Sequence, residues 1–186
     1  MENTLGFIGL GVMGGRMCRN LAAKSGKPVV AYDISEERAA VLAKHGVTIA
    51  GSPAEVAADA DIIFLCLPGE PQVRDLCFGS GALVEHMRTG STLVDMTTAT
   101  VAINREVAAA LGEKQVDFAD APVARGVPSA EDGTLAITVG ATDAVLARID
   151  PYLRCMGTDI SHCGDVGTGQ VLKLMNNMLI FQTVSA

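Results

Sequence analysis

Thr4-Leu5-Gly6-Phe7-Ile8-Gly9-Leu10-Gly11-Val12-Met13-Gly14 sets a short apolar run before three glycines spaced Gly-x-Gly-x-x-Gly. The run reads as a buried parallel strand and Arg16 to Lys24 as the helix behind it. Gly9 permits a tight turn, Gly11 lets the backbone approach a pyrophosphate with no side chain in the way, and Gly14 lets helix pack closely on strand. The helix start, including Leu10, Val12 and Met13 of the turn, then offers unpaired N–H groups to phosphate. A second feature agrees. Asp33 stands nineteen positions beyond Gly14, ending the apolar run Pro28-Val29-Val30-Ala31-Tyr32, where a carboxylate binds the adenosine ribose hydroxyls. A carboxylate there repels a 2′-phosphate, and Ile34-Ser35-Glu36-Glu37 adds negative charge, so NAD is favoured over NADP. Arg38, a helical turn onward, is read as pairing with Glu37 or solvent.

Strand-like runs continue at Val47-Ile49, Ile62-Leu67, Thr92-Val94, Val116-Phe118, Thr134-Val139 and Asp159-Cys163. Helices are expected between them, over Ser35 to His45, Pro53 to Ala58, Glu70 to Phe78, Val101 to Leu111 and Asp143 to Tyr152. Such alternation implies an α/β fold, a doubly wound, mostly parallel sheet with helices on both faces. Ligands of such sheets bind beyond the carboxyl ends of the strands. That rule singles out Leu67-Pro68, Asp95-Met96-Thr97-Thr98 and Asp120-Ala121-Pro122-Val123-Ala124-Arg125-Gly126.

The chain of 186 residues, 49% hydrophobic and without tryptophan, is long enough for one domain with a sizeable core. Its net charge of −7 and the lack of a basic stripe argue against nucleic acid or an anionic membrane as partner, leaving a small molecule. Cys18, Cys66, Cys77, Cys155 and Cys163 form no Cys-x-x-Cys pair, which points to reduced thiols of a cytoplasmic protein, with neither a disulfide framework nor a metal site. Glu2 and a run too short for a signal peptide open the chain, and no run is long enough to span a membrane. His45, His86 and His162 stand alone and are given no role.

After Gly164-Asp165-Val166-Gly167-Thr168-Gly169-Gln170, residues Val171 to Phe181 run without a helix breaker. That helix is apolar on nearly every face and is expected to be buried. Lys173, Asn176 and Asn177 are spaced by steps of three and four, which puts Lys173 and Asn177 on one side. Two readings stand: a lysine that reaches solvent along an apolar stem, or one set inside for chemistry.

The opening motif with Met17 and Asn20-Leu21 resembles the β-hydroxyacid dehydrogenases, the group of 3-hydroxyisobutyrate dehydrogenase and tartronate semialdehyde reductase. Asp95-Met96-Thr97-Thr98, Asp120-Ala121-Pro122-Val123, and Gly167-Thr168-Gly169 followed by Lys173 and Asn177 extend the likeness over the whole chain. The resemblance implies a Rossmann sheet, a nicotinamide cofactor, Lys173 as catalytic acid/base, Asn177 (with Asn176 beside it) as a substrate-orienting amide, and Thr98 as a contact near the nicotinamide. It implies a small anionic hydroxyacid or semialdehyde as substrate. It also divides the chain into a nucleotide-binding domain, 1–164, and the start of a long helix, 165–186, leading to an all-helical domain that builds a homo-oligomer. Exposed Leu174, Met178 and Phe181 would favour self-association.

The likeness breaks in one loop. The family pattern there is Asp-Ala-Pro-Val-Ser-Gly-Gly, and Ala124 and Arg125 replace the serine and first glycine. A guanidinium favours a group that accepts forked hydrogen bonds, such as a sulfonate, phosphonate or additional carboxylate. An arginine in this loop is similar to the pattern of 3-sulfolactaldehyde reductase, with Gly126 after it also placed at the substrate. The alternative is a surface cation paired with Asp120 or Glu131. Three other functions are open. A 6-phosphogluconate dehydrogenase-like reaction is opposed by Asn176 at the histidine position of Lys-x-x-His-Asn. An imine reductase is opposed by Lys173. A cofactor-binding module without turnover is the third.

Overall fold

The computed structural model describes residues 3–80 and 82–184; Met1, Glu2, Gly81, Ser185 and Ala186, the ends of the stretches 1–164 and 165–186 among them, lie outside the described residues. The first half alternates β1 (Leu5–Ile8), α1 (Gly14–Lys24), β2 (Val29–Tyr32), α2 (Glu36–Ala43), β3 (Thr48–Ile49), α3 (Pro53–Asp59), β4 (Ile62–Leu65) and α4 (Glu70–Phe78). It continues through α5 (Leu83–His86), β5 (Thr92–Asp95), α6 (Val101–Gly112) and β6 (Asp117–Asp120). The second half holds β7 (Val123–Ala124), α7 (Gly126–Asp132), β8 (Leu135–Gly140), α8 (Asp143–Leu153), β9 (Gly157–Gly164) and α9 (Thr168–Val184).

The strands form one sheet in the order β3-β2-β1-β4-β5-β6-β8-β7, with β9 beside β8. From β3 to β6 every pairing is parallel, in the doubly wound order that reverses direction between β1 and β4. All four residues of β1 and of β4 are buried, as strands covered on both faces require. Alternate residues serve opposite layers. Leu5, Phe7, Ile62 and Phe64 join Met17, Leu21 and Leu42 under α1 and α2, while Ile8, Ile63 and Leu65 meet Val56, Val73 and Ile103 under α3, α4 and α6. Phe7 and Phe64 stack across β1 and β4 with ring centroids 6.3 Å apart.

β8 runs antiparallel to both β6 and β7, where strict alternation predicted another parallel strand. Only residues 125–134, with the seven-residue α7 among them, join β7 to β8, fewer than the dozen or so a parallel crossover needs, so the chain folds straight back. Neither α5 nor α7 was expected from the sequence, since each carries too few apolar positions to show a helical period.

Helix α9 departs further from expectation. Its first turn is seated on the sheet, but Met175, Met178 and Leu179 are 55%, 62% and 63% exposed. Burial ends at Gly169 and Gln170, before the stretch expected to be buried; within that stretch only Lys173, Asn176 and Asn177 are half-buried and the rest is exposed.

Candidate active site

Each glycine of the opening turn is explained by what a Cβ would meet. At Gly9, φ is +95° and a Cβ would overlap the Cys66 carbonyl; at Gly14 it would overlap the Gly9 carbonyl. Gly11 faces open space, its nearest heavy atom Arg38 Nη1 at 4.0 Å. Gly9 N–H donates to the Tyr32 carbonyl at 3.0 Å, which ties the turn to the end of β2. Among the described residues, the N–H groups of Val12 and Met13 have no protein partner and stand at the start of α1, where a helix favours an anion.

Asp33 sits where the spacing placed it, its side chain 6% exposed. Its Oδ2 accepts from Leu10 N–H at 2.6 Å and Oδ1 from Ser35 N–H at 2.8 Å. This corrects the reading of Leu10: its side chain is core, 3% exposed, and its N–H is spent on Asp33 rather than turned to phosphate. Arg38 also departs from expectation, because its Nη1 lies 3.9 Å from Asp33 Oδ1. Gly9, Gly11, Val12, Met13, Gly14, Asp33, Arg38, Leu67 and Pro68 line one cleft of ≈ 640 Å³.

A second cavity of ≈ 740 Å³ adjoins it, and Met13 lines both. Thr98, Arg125, Gly126, Lys173 and Asn176 form its walls together with Val123, Ala124 and Ile180. The structure thus brings the segment after β5, β7 with its turn into α7, and α9 to one place. Asn177, half-buried, is not among the walls; Asn176 is the amide that shares the cavity with Lys173.

A sequence profile of the NAD binding domain of 6-phosphogluconate dehydrogenase matches residues 4–164. The chain belongs to this family. The probable mitochondrial 3-hydroxyisobutyrate dehydrogenase of Dictyostelium discoideum is 42% identical over 179 residues, 96% of this chain and 56% of the relative. The 2-(hydroxymethyl)glutarate dehydrogenase of Eubacterium barkeri is 40% identical over 176 residues, 95% of this chain and 58% of that one. The structure of Mycobacterium tuberculosis 3-hydroxyisobutyrate dehydrogenase with L-serine matches with a TM-score of 0.90 at 36% identity, covering 97% of this chain and 60% of the other. The chain accordingly spans somewhat more than half the length of the curated relatives it matches.

Within this NAD-binding domain, the electrostatics of the second cavity follow from burial. Partial desolvation holds the Lys173 ammonium below the ordinary lysine range. Arg125 adopts φ +85°, the left-handed region, which accounts for the glycine in the family's loop pattern at this place. Its guanidinium donates to Asp159 Oδ2 at 2.9 Å and to the Thr134 carbonyl at 3.2 Å. Neither expected partner is used, since Glu131 pairs with Arg16 and Arg19 and Asp120 lies beneath α9.

The sequence singled out the segments that begin at Asp95 and Asp120, but not the burial of these two carboxylates behind the walls. Asp95 is fully buried at the end of β5, and desolvation pushes its carboxyl up to about 6 against the opposing bonds from Thr97 and Asn104. Asp120 is raised by the same cause, opposed by N–H bonds from Gly167 and Gln170. Thr97 Oγ1 accepts from Leu67 N–H at 3.0 Å, linking the residue before Thr98 to the first cleft. Cys66 and Cys77, pushed up to about 12 by burial, are poor nucleophiles.

Proposed function

We propose that this chain is the cofactor-binding and lysine-bearing part of an NAD-dependent 3-hydroxyacid dehydrogenase. The observation that carries the reading is the meeting of Thr98, Lys173 and the Arg125 loop in one cavity that shares Met13 with the nucleotide cleft. The residues fit a dinucleotide: unpartnered N–H groups at a helix start, a glycine open to the cleft, and a carboxylate at the end of β2. Bound there, the nicotinamide supplies the hydride acceptor for oxidation or the donor for reduction.

The chain's own residues do the rest. Lys173 takes the hydroxyl proton when an alcohol is oxidised and returns one when a semialdehyde is reduced; its partial burial favours the neutral amine needed for the first role. The Asn176 amide, which shares the cavity with Lys173, orients the substrate oxygen, with Asn177 next to it on the helix. Arg125 and the Gly126 N–H face the substrate's acidic group, with Asp159 holding the guanidinium at the rim. This favours a small hydroxyacid with a carboxylate, sulfonate or second anionic group.

NAD is the cofactor this site favours, because the Asp33 carboxylate faces the position of a 2′-phosphate. Arg38 tempers the preference, since its guanidinium lies beside that carboxylate. Residues 1–164 act as the nucleotide domain and 165–186 begin the helix that joins it to a helical domain, with the exposed apolar face of α9 as the surface for that domain or for a homo-oligomer. None of the helices among the described residues is long and apolar enough to cross a membrane. Its free thiols suit a reducing compartment such as the cytoplasm.

The test pairs NAD⁺ titration with oxidation of a panel of 3-hydroxy acids and sulfonates. Lys173→Ala is expected to bind NAD⁺ as the parent does and to lose turnover by ~10²-fold or more, as removal of a general base does. Near-normal kcat in that variant overturns the assignment.

A further inference from the structure

One turn before Lys173, the Gln170 side chain is wholly buried, 0% exposed. Its amide bridges the turn that carries Thr98. Nε2 donates to the Thr97 carbonyl at 2.6 Å, and Oε1 accepts from the Ala99 N–H at 3.3 Å. Thr98 is thereby left exposed between two anchored neighbours. The main chain of Gln170 is anchored in turn: its N–H donates to Asp120 Oδ2 at 2.8 Å, and the Gly167 N–H donates to Oδ1 at 2.6 Å. One carboxylate at the end of β6 thus accepts two N–H groups at the start of α9, where a negative charge suits the helix dipole.

The fold does not need the side-chain bridge. β5 and β6 are already joined in register, Asp95 opposite Asp120, and α9 is seated independently where Gly169 meets the β8 backbone and Thr138 Oγ1 donates to the Gly169 carbonyl at 3.0 Å. The Gln170 amide serves only the two peptide groups that flank a wall of the cavity. Removing it would leave a buried carbonyl and a buried N–H unpartnered, which the turn can relieve only by moving. A shift of that turn carries Thr98 relative to Lys173.

We propose that Gln170, braced by Asp120, is a positioning residue that fixes the Thr98 turn and the Lys173 amine opposite each other across the cavity. The inference rests on the cofactor reading above, which makes that spacing the place of the nicotinamide. Gln170 touches no reacting atom in this arrangement; it acts through the turn and the helix it joins.

The experiment uses the full chain, reductively methylated with ¹³C-formaldehyde, with the Lys173 signal identified by its loss in Lys173→Arg. The Lys173 titration is followed with and without saturating NAD⁺ in the parent, Gln170→Met and Gln170→Glu, and NAD⁺ affinity is measured by calorimetry. A positive nicotinamide beside the amine lowers its midpoint in the parent by about half a pH unit or more. Gln170→Met, which fills the volume without hydrogen bonding, is expected to bind NAD⁺ within about threefold, under 1 kcal/mol, yet to lose at least half of that shift. A full shift in Gln170→Met overturns the positioning role while leaving the cofactor reading intact. No shift in the parent overturns the cofactor reading, and this inference with it. Should Gln170→Met fail to fold, Gln170→Glu decides: it still accepts from the Ala99 N–H but opposes a carboxylate to the Thr97 carbonyl, so loss of the shift supports the role and its retention refutes it.

Discussion

Gly11→Ala separates the fold from the cofactor site. At Gly11 the backbone is outside the left-handed region and a Cβ would have Arg38 Nη1, at 4.0 Å, as its nearest neighbour. The methyl therefore meets no protein atom, and the lost chain entropy of glycine is expected to raise stability by about 0.4–1 kcal/mol, or roughly 1–4 °C in Tm. It projects into the cleft beside the Val12 and Met13 N–H groups. Keeping a pyrophosphate from two charge-assisted hydrogen bonds of about 1.5–3 kcal/mol each weakens binding by about 3–6 kcal/mol, or ~10²- to 10⁴-fold in Kd. A thermal melt and an NADH fluorescence titration of the same sample measure both. Gly14→Ala is the contrasting variant, since its Cβ would overlap the Gly9 carbonyl; it is expected to lose native folding as well as binding. If Gly11→Ala binds NADH within about threefold of the parent, the pyrophosphate does not lie over this turn and the reasoning fails.

Three further outcomes are expected. Arg125→Gly relieves a non-glycine residue at φ +85°, a gain of about 1–2 kcal/mol that offsets the loss of an exposed pair with Asp159 and an exposed bond to the Thr134 carbonyl, so its Tm should stay within about 4 °C of the parent's. In a substrate screen the same variant should lose at least about tenfold in kcat/KM for dianionic acids relative to monoanionic ones, and an unchanged preference removes Arg125 from substrate recognition. Asp95 binds its proton more tightly folded than unfolded, so its contribution to stability is present below about pH 4 and is lost as pH rises through about 6. Asp95→Asn should gain stability relative to the parent across that window in parallel denaturation curves; its amide can pair with Asn104 Oδ1, which is buried without a partner. A constant difference between the curves excludes Asp95 as the titrating group. Arg38→Ala should weaken NADP⁺ by ~10-fold while changing NAD⁺ less than about threefold, as loss of one charged partner of a phosphate predicts. Equal effects in paired titrations would place Arg38 away from the 2′ position.

The nucleotide half of the molecule was legible because its signals are local. Gly9, Gly11, Gly14 and Asp33 lie within one βαβ unit, where spacing alone fixes geometry, and the structure keeps their relation. Leu10 misled because a position inside the motif says nothing of whether its N–H turns outward or to Asp33. The second cavity was legible only in part. Strand ends pointed to Thr98 and Arg125, helix spacing to Lys173, and a family likeness gave them roles, but the partners of Arg125 were not found, since Asp159 comes from β9, two strands away across β8. Gln170 escaped notice for the same reason. Its partners, Thr97 and Ala99, are over seventy residues distant, and a glutamine in a helix start gives no pattern by which to find them. Helix α9 shows the converse limit: its composition reads as a buried helix, yet past Gln170 only Lys173, Asn176 and Asn177 are even half-buried.

A crystal structure of this chain with bound NADH tests the central claim most directly. The account predicts the pyrophosphate on the Val12 and Met13 N–H groups, the adenosine ribose at Asp33, and the nicotinamide past Met13 between Thr98 and Lys173. A dinucleotide bound with its nicotinamide outside the cavity that Lys173 lines, or clear of the glycine turn altogether, contradicts it.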